Sequence, residues 1–204
     1  MSKQPNFLMF INDQHRADHL GCYGNTIVQT PNIDGIAAQG TKFDKFYVST
    51  PICMPNRATL MTGRMPSLHG VRQNGIPLPL NQTTFTQLLR AAGYSTALFG
   101  KSHLQCISPN AIEVGLPVPD PNKIQPPSEL SEAQRDMWLD GDYEQESPPT
   151  WKEDPNFEPE LPFYGFDEVS LAIGHSDRVT GHYSRWLAER HPDLRAQFVP
   201  QAIR

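Results

Sequence analysis

Glutamate is absent from the first 112 residues of this chain, cysteine is scarce, and no apolar run approaches the ~20 residues of a membrane-spanning helix. The three cysteines, Cys22, Cys53 and Cys106, lie too far apart for a zinc knuckle and are too few for a disulfide framework. The apolar stretch nearest the start covers only residues 7–11, too short for a secretory leader, so a cytoplasmic address and no membrane partner are expected. The missing glutamates leave the chain electrically uneven. Residues 1–112 hold nine Lys and Arg against four Asp, residues 113–168 hold three against fifteen acidic groups, and residues 169–204 hold five against three. The basic segment suits an anionic substrate. It is too mildly basic, and too poor in interleaved aromatics, to suit nucleic acid. With 204 residues, 38% of them hydrophobic, the chain has material for one sizeable globular core.

The stretch richest in chemistry is Cys53-Met54-Pro55-Asn56-Arg57-Ala58-Thr59-Leu60-Met61-Thr62-Gly63-Arg64. Pro55 suits a first helical turn, where a missing N–H is no loss; Ala58, Leu60 and Met61 favour helix, and Gly63 stops it. Cys53 therefore falls at or just before a helix N-terminus, where backbone N–H groups and the helix dipole favour an anion. Arg57, one turn later, can point back at the same spot. The competing reading is a buried structural cysteine ahead of a helix.

The remaining pattern is that of an α/β protein. Residues 6–12 read as a buried strand ending in Asp13 and Gln14, and ligands collect at such strand ends in open α/β sheets. Thr30 and Pro31 open a helix running to Gln39. Residues 43–48 read as a strand leading to Cys53. Residues 84–92 read as a helix stopped by Gly93, with Phe85, Leu88, Leu89 and Ala92 on its apolar face. Residues 95–99 read as a buried strand ending in Gly100-Lys101-Ser102-His103. Eleven of the 20 prolines fall between positions 109 and 162, among the acidic residues. Residues 107–165 thus read as a long irregular insertion draped on the surface, with a short helix at 131–139. Residues 168–173 then form a strand ending near His175, and residues 182–190 a helix with Tyr183, Trp186 and Leu187 inward.

Three of these stretches, in order, resemble the type I sulfatases of the alkaline phosphatase superfamily. They are the strand-end Asp13-Gln14, the Cys53-x-Pro55-x-Arg57 run with Thr62-Gly63-Arg64, and Gly100-Lys101-x-His103. The resemblance is strong over residues 6–103 and looser to Arg195. It implies a mixed, mostly parallel sheet with helices on both faces, residues 1–204 being the N-terminal part of a longer catalytic domain. It implies that a formylglycine-generating enzyme oxidises Cys53 to formylglycine, whose hydrated form is a geminal diol. One hydroxyl attacks sulfur, and the second expels sulfate by re-forming the aldehyde. Arg57 would hold the diol. Lys101, His103 and His175 would serve the sulfate oxygens and the leaving group, with His182 the competitor of His175. Asn74 resembles an active-site asparagine, and it reads equally well as a turn residue before Gly75. Asp13, Gln14 and residue 53 would be ligands of a divalent cation, calcium in the first place and manganese or magnesium otherwise. Gln14 stands where a second Asp is usual, which removes one negative charge.

The implied substrate is a small-molecule or saccharide sulfate ester. Two other readings stay open: a phosphonate monoester or phosphodiester hydrolase of the same superfamily, which tends to lack the Lys-x-His pair, and a non-catalytic fragment. The later metal ligands of the family lie outside the matched motifs.

Overall fold

The structure, a computed structural model, describes residues 4–107, 122, 141–175 and 178–194. The expected helix at 131–139 lies outside the described residues. The chain divides into two compact units, Met1–Val48 and Ser49–Arg204.

In the first unit, helix α1 (Pro31–Gln39) has the predicted bounds, with Pro31 at its first position. Thr30 does not cap it through a side-chain bond to the backbone. Its hydroxyl instead accepts the Gly21 N–H at 2.8 Å and donates to Asp34 Oδ1 at 3.0 Å, while the Cys22 N–H reaches the same Oδ1 at 2.7 Å. Asp34 thereby fastens the helix to the 21–23 turn. Two expectations fail in this unit. Residues 7–11 form no strand, and Phe7 and Leu8 are 66% and 81% exposed. Residues 43–48 form none either, although Phe43 and Phe46 meet edge to face at 5.9 Å. An apolar run becomes a strand only when neighbouring strands satisfy its backbone groups and cover its faces, and the described residues supply no such ladder here.

The second unit is built on helix α2 (Cys53–Thr62), closed by Gly63 in the left-handed region at φ 65°. Met54, Ala58 and Met61, spaced four and three apart, form its buried stripe. They pack in one cluster with Val71, Leu78, Leu104, Phe163, Tyr164 and Phe166. Helix α3 (Pro66–His69) follows, then α4 (Phe85–Ala91), whose Thr84 and Gln87 form a reciprocal capping box. On α4 the predicted apolar face is only partly used. Leu88 is exposed and Thr86 is buried, because the Thr84 and Thr86 hydroxyls both donate to the Tyr164 carbonyl, at 2.8 and 2.7 Å.

Strand β1 (Ala97–Gly100) pairs in parallel with β2 (Glu168–Ile173), which pairs antiparallel with β3 (Thr180–Gly181), giving a mixed three-stranded sheet among the described residues. Phe99 on β1 is exposed, against the expectation of a buried strand, because the face of β1 that carries Ala97 and Phe99 is left uncovered by the described residues. Helix α6 (His182–Arg190) has its predicted bounds, but Tyr183 and Trp186 stack on each other at the surface rather than facing inward.

The 141–165 segment of the proline-rich insertion is no surface drape. It carries helix α5 (Pro148–Glu153) and buries Gln145, Glu146, Ser147, Trp151, Phe163 and Tyr164. A two-residue turn at Tyr164 and Gly165, both at positive φ, closes a bridge between Phe163 and Phe166. A Cβ on Gly165 would stand 2.6 Å from the Gln87 backbone nitrogen, so only glycine lets this turn meet α4. No helix among the described residues is long and apolar enough to cross a membrane.

Thr84 links two parts of this core through one hydroxyl. Thr84→Val keeps its shape, removes the cap and leaves the buried Tyr164 carbonyl with one donor fewer. It is expected to cost about 1–3 kcal/mol in urea denaturation, with Thr84→Ser recovering most of the loss.

Candidate active site

Ile52 is extended, and Cys53 is the first helical residue of α2. The Met54 N–H donates to Asn74 Oδ1 at 3.0 Å, and the Gly75 N–H points at Met54 Sδ at 3.1 Å. Asn74 thus satisfies one of the donors that a helix start leaves open, one residue from Cys53. Arg57, half-buried on the next turn, donates from Nη1 to the Lys101 carbonyl at 2.7 Å, with the Ser102 carbonyl at 3.5 Å. That contact ties α2 to the loop leaving β1.

His175, just beyond the end of β2, lies beside that loop. Lys101 Nζ and His175 Nε2 are 2.6 Å apart. An ammonium can only donate, so Nε2 is the acceptor and the ring proton sits on Nδ1. The Cys53 sulfur and a His175 ring nitrogen lie within 4.8 Å of each other. The His103 and His175 rings meet edge to face at 6.2 Å. His103 is buried and left-handed at φ 55°, an uncommon conformation for a residue with a side chain.

Behind this loop stands Glu146, almost fully buried. Its Oε1 accepts the His103 N–H at 2.7 Å, and its Oε2 accepts those of Leu104 and Gln105, both at 2.8 Å. Burial pushes its pKa above the ordinary glutamate value, while the three N–H groups pull the other way. Nothing in the sequence singles this residue out from the fifteen acidic groups of residues 113–168.

His69, wholly buried, holds α2 from the other side. Its Nδ1 accepts the Val71 N–H at 3.2 Å, so Nε2 carries the proton and bonds Thr59 Oγ1 at 3.0 Å. Burial holds its pKa below the ordinary histidine value.

The second unit therefore brings together Cys53, Arg57, Asn74, Lys101, His103 and His175. His182, the competitor of His175, is engaged elsewhere: its Nδ1 accepts the Leu171 N–H at 2.9 Å, and its Nε2 bonds Glu158 at 2.7 Å. It fastens α6 to β2. Asp13 and Gln14 belong to the first unit, where both are exposed and Gln14 is left-handed at φ 54°. A carboxylate and an adjacent amide offer hard oxygen donors, which fit a divalent cation of the calcium or magnesium kind. The thiol of Cys53 is a soft donor and does not; a hydroxyl at that position would.

An α/β unit with a mixed sheet, a thiol at a helix start and a lysine–histidine pair at adjacent strand ends is the architecture of the alkaline phosphatase and sulfatase class. Over 89% of its length the chain is similar to the crystal structure of a phosphonate monoester hydrolase of Agrobacterium radiobacter, at 27% identity and a TM-score of 0.52, covering 28% of that chain. The Sulfatase family profile matches residues 5–161, and the chain belongs to that family. It is 39% identical over 103 residues to an N-acetylglucosamine-6-O-sulfatase of Bacteroides thetaiotaomicron, covering 50% of this chain and 18% of that protein. It is 40% identical over 111 residues to a steryl-sulfatase of Rattus norvegicus, covering 49% of this chain and 19% of that protein. The chain thus spans about a fifth of the length of these curated relatives.

His69 makes the helix that carries Cys53 sensitive to pH. Unfolded, its imidazole protonates below about pH 6.5, whereas burial keeps the folded ring neutral to lower pH. The unfolded state then binds the extra proton, so stability is full above that value and falls as pH drops below it. Urea midpoints at pH ~7.5 and pH ~5 should differ, and the difference should shrink in His69→Gln.

Proposed function

We propose that the chain carries the nucleophile side of the active site of a sulfuric ester hydrolase. The observation that supports this best is the convergence at Cys53: a helix start, a His175 ring nitrogen within 4.8 Å, and Lys101 held on that ring at 2.6 Å. A thiol-derived nucleophile, a positive dipole end and an ammonium meet where a tetrahedral oxyanion would sit.

Oxidised to formylglycine, residue 53 would supply a geminal diol as the nucleophile toward sulfur. Asp13 and Gln14 would hold a divalent cation, calcium in this reading, which supplies charge neutralisation at the ester oxygens. The chain's own residues do the rest. Lys101 neutralises charge on the sulfuryl oxygens. His175, with its proton on Nδ1, orients the lysine through Nε2. Arg57 keeps the two halves of the site in register by holding the Lys101 carbonyl, and its positive charge favours ionisation of the hydroxyl one turn away. His103 stands beside His175, and in this reading it serves the leaving oxygen. The substrate class is a small-molecule or saccharide sulfate ester, in keeping with the sulfatase names of the similar proteins.

The fold likeness to a phosphonate monoester hydrolase favours a second reading, cleavage of phosphonate monoesters. Parallel assays of an aryl sulfate and an aryl phosphonate on protein converted at Cys53 separate the two, and sulfate is expected to be the better substrate. In an enzyme of the length of the curated relatives, Lys101→Ala should lower aryl sulfate turnover by roughly two to three powers of ten, the cost of removing one charge-stabilising donor, whereas residues 1–204 alone should show no turnover. Wild-type turnover in that variant would remove Lys101 from the mechanism.

A further inference from the structure

The backbone N–H groups of His103, Leu104 and Gln105 converge on the two oxygens of one side chain, Glu146, at 2.7, 2.8 and 2.8 Å. Successive N–H groups around a left-handed residue form a concavity that binds an anion. His103, at φ 55°, is that residue. The anion here comes from the protein itself, from a segment more than 40 positions later, and it is buried with its nest. An ionised carboxylate accepts all three bonds with no proton in the way.

The left-handed conformation costs a residue with a Cβ roughly 1 kcal/mol or more, so His103 persists in it only where its surroundings over-determine it. Glu146 is the group that does so. The neighbouring contacts extend the same clamp. Gln105 Nε2 donates to the Asp142 carbonyl at 2.9 Å, and the Gln145 N–H donates to Gln105 Oε1 at 2.8 Å. The 142–147 segment thereby wraps the loop that begins at Lys101.

We propose that Glu146 is a positioning residue for His103 and Lys101, its carboxylate filling the nest of residues 103–105 and so setting the loop that presents both side chains to the site at Cys53. The role in catalysis rests on the sulfate-ester reading; the nest itself does not. Glu146 touches no reacting atom. Its effect passes through backbone conformation, which distinguishes it from the charged side chains it sits behind.

Nuclear magnetic resonance on the 204-residue chain tests this directly. In Glu146→Gln the amide nitrogen faces backbone donors. Exchange of the 103–105 amides should then quicken by roughly ten- to a hundredfold, the loss expected for charge-assisted bonds. The nuclear Overhauser contact between the His103 and His175 rings should weaken or vanish. In Glu146→Ala, added acetate fills the space left by the carboxylate and should restore both signals, while chloride at equal ionic strength should not. A stabilising role elsewhere in the core would not respond to acetate in this way. Should Glu146→Ala fail to fold, the isosteric Glu146→Gln still decides. Unchanged 103–105 protection and an intact ring contact in Glu146→Gln would overturn the proposal, whatever the substrate. If both signals are lost while protein converted at Cys53 cleaves an aryl phosphonate and not an aryl sulfate, the positioning role stands and the sulfate reading falls.

Discussion

The hydrogen bond from Arg57 to the Lys101 carbonyl, at 2.7 Å, is the constraint on which the candidate site depends. It joins the helix that carries Cys53 to the strand end that carries Lys101, the two partners being 44 positions apart in sequence. A guanidinium donates in a fixed plane, so the contact sets orientation as well as distance. The two sides it joins are each immobilised by other means. Helix α2 is seated by Met54, Ala58 and Met61 in the core and by His69 through Thr59. The strand-end loop is seated by β1 on β2 and by Glu146 behind it. A site assembled from rigid elements in this way needs little reorganisation when charge develops on a bound anion, the condition under which fixed donors lower a barrier most.

The charge pattern along the chain takes on meaning against this arrangement. The described part of the acidic segment does not carry its charge as an exposed block. One of its carboxylates, Glu146, is taken inside and bound by backbone N–H groups; another, Glu158, is held by His182 and Arg185. The segment that reads as an excursion therefore acts in part as packing, supplying Trp151, Phe163 and Tyr164 to the two apolar clusters.

Much of this was legible in the sequence where local chemistry decides structure. Helix α2 follows from Pro55, its apolar spacing and Gly63; α1 from Pro31; the stop of α4 from Gly93; and the places of Cys53 and Lys101 from a helix start and a strand end. What could not be read depends on contacts between distant segments. Residues 7–11 and 43–48 have strand composition, but a strand is a property of pairs, and their partners are not written locally. The outward Tyr183 and Trp186 and the exposed Leu88 obey helical periodicity and still miss the core, because periodicity gives a face and not its neighbour. Glu146 carries no signal at all: the three N–H groups that hold it come from residues 103–105, more than 40 positions earlier in the chain.

The central claim is that Cys53 is the precursor of the nucleophile, and the mass of its peptide tests that most directly. Co-expressed with a formylglycine-generating enzyme, the peptide containing Cys53 should be lighter by about 18 Da, the exchange of a thiol for an aldehyde. A full-mass, alkylatable Cys53 beside a converted control peptide would contradict the account.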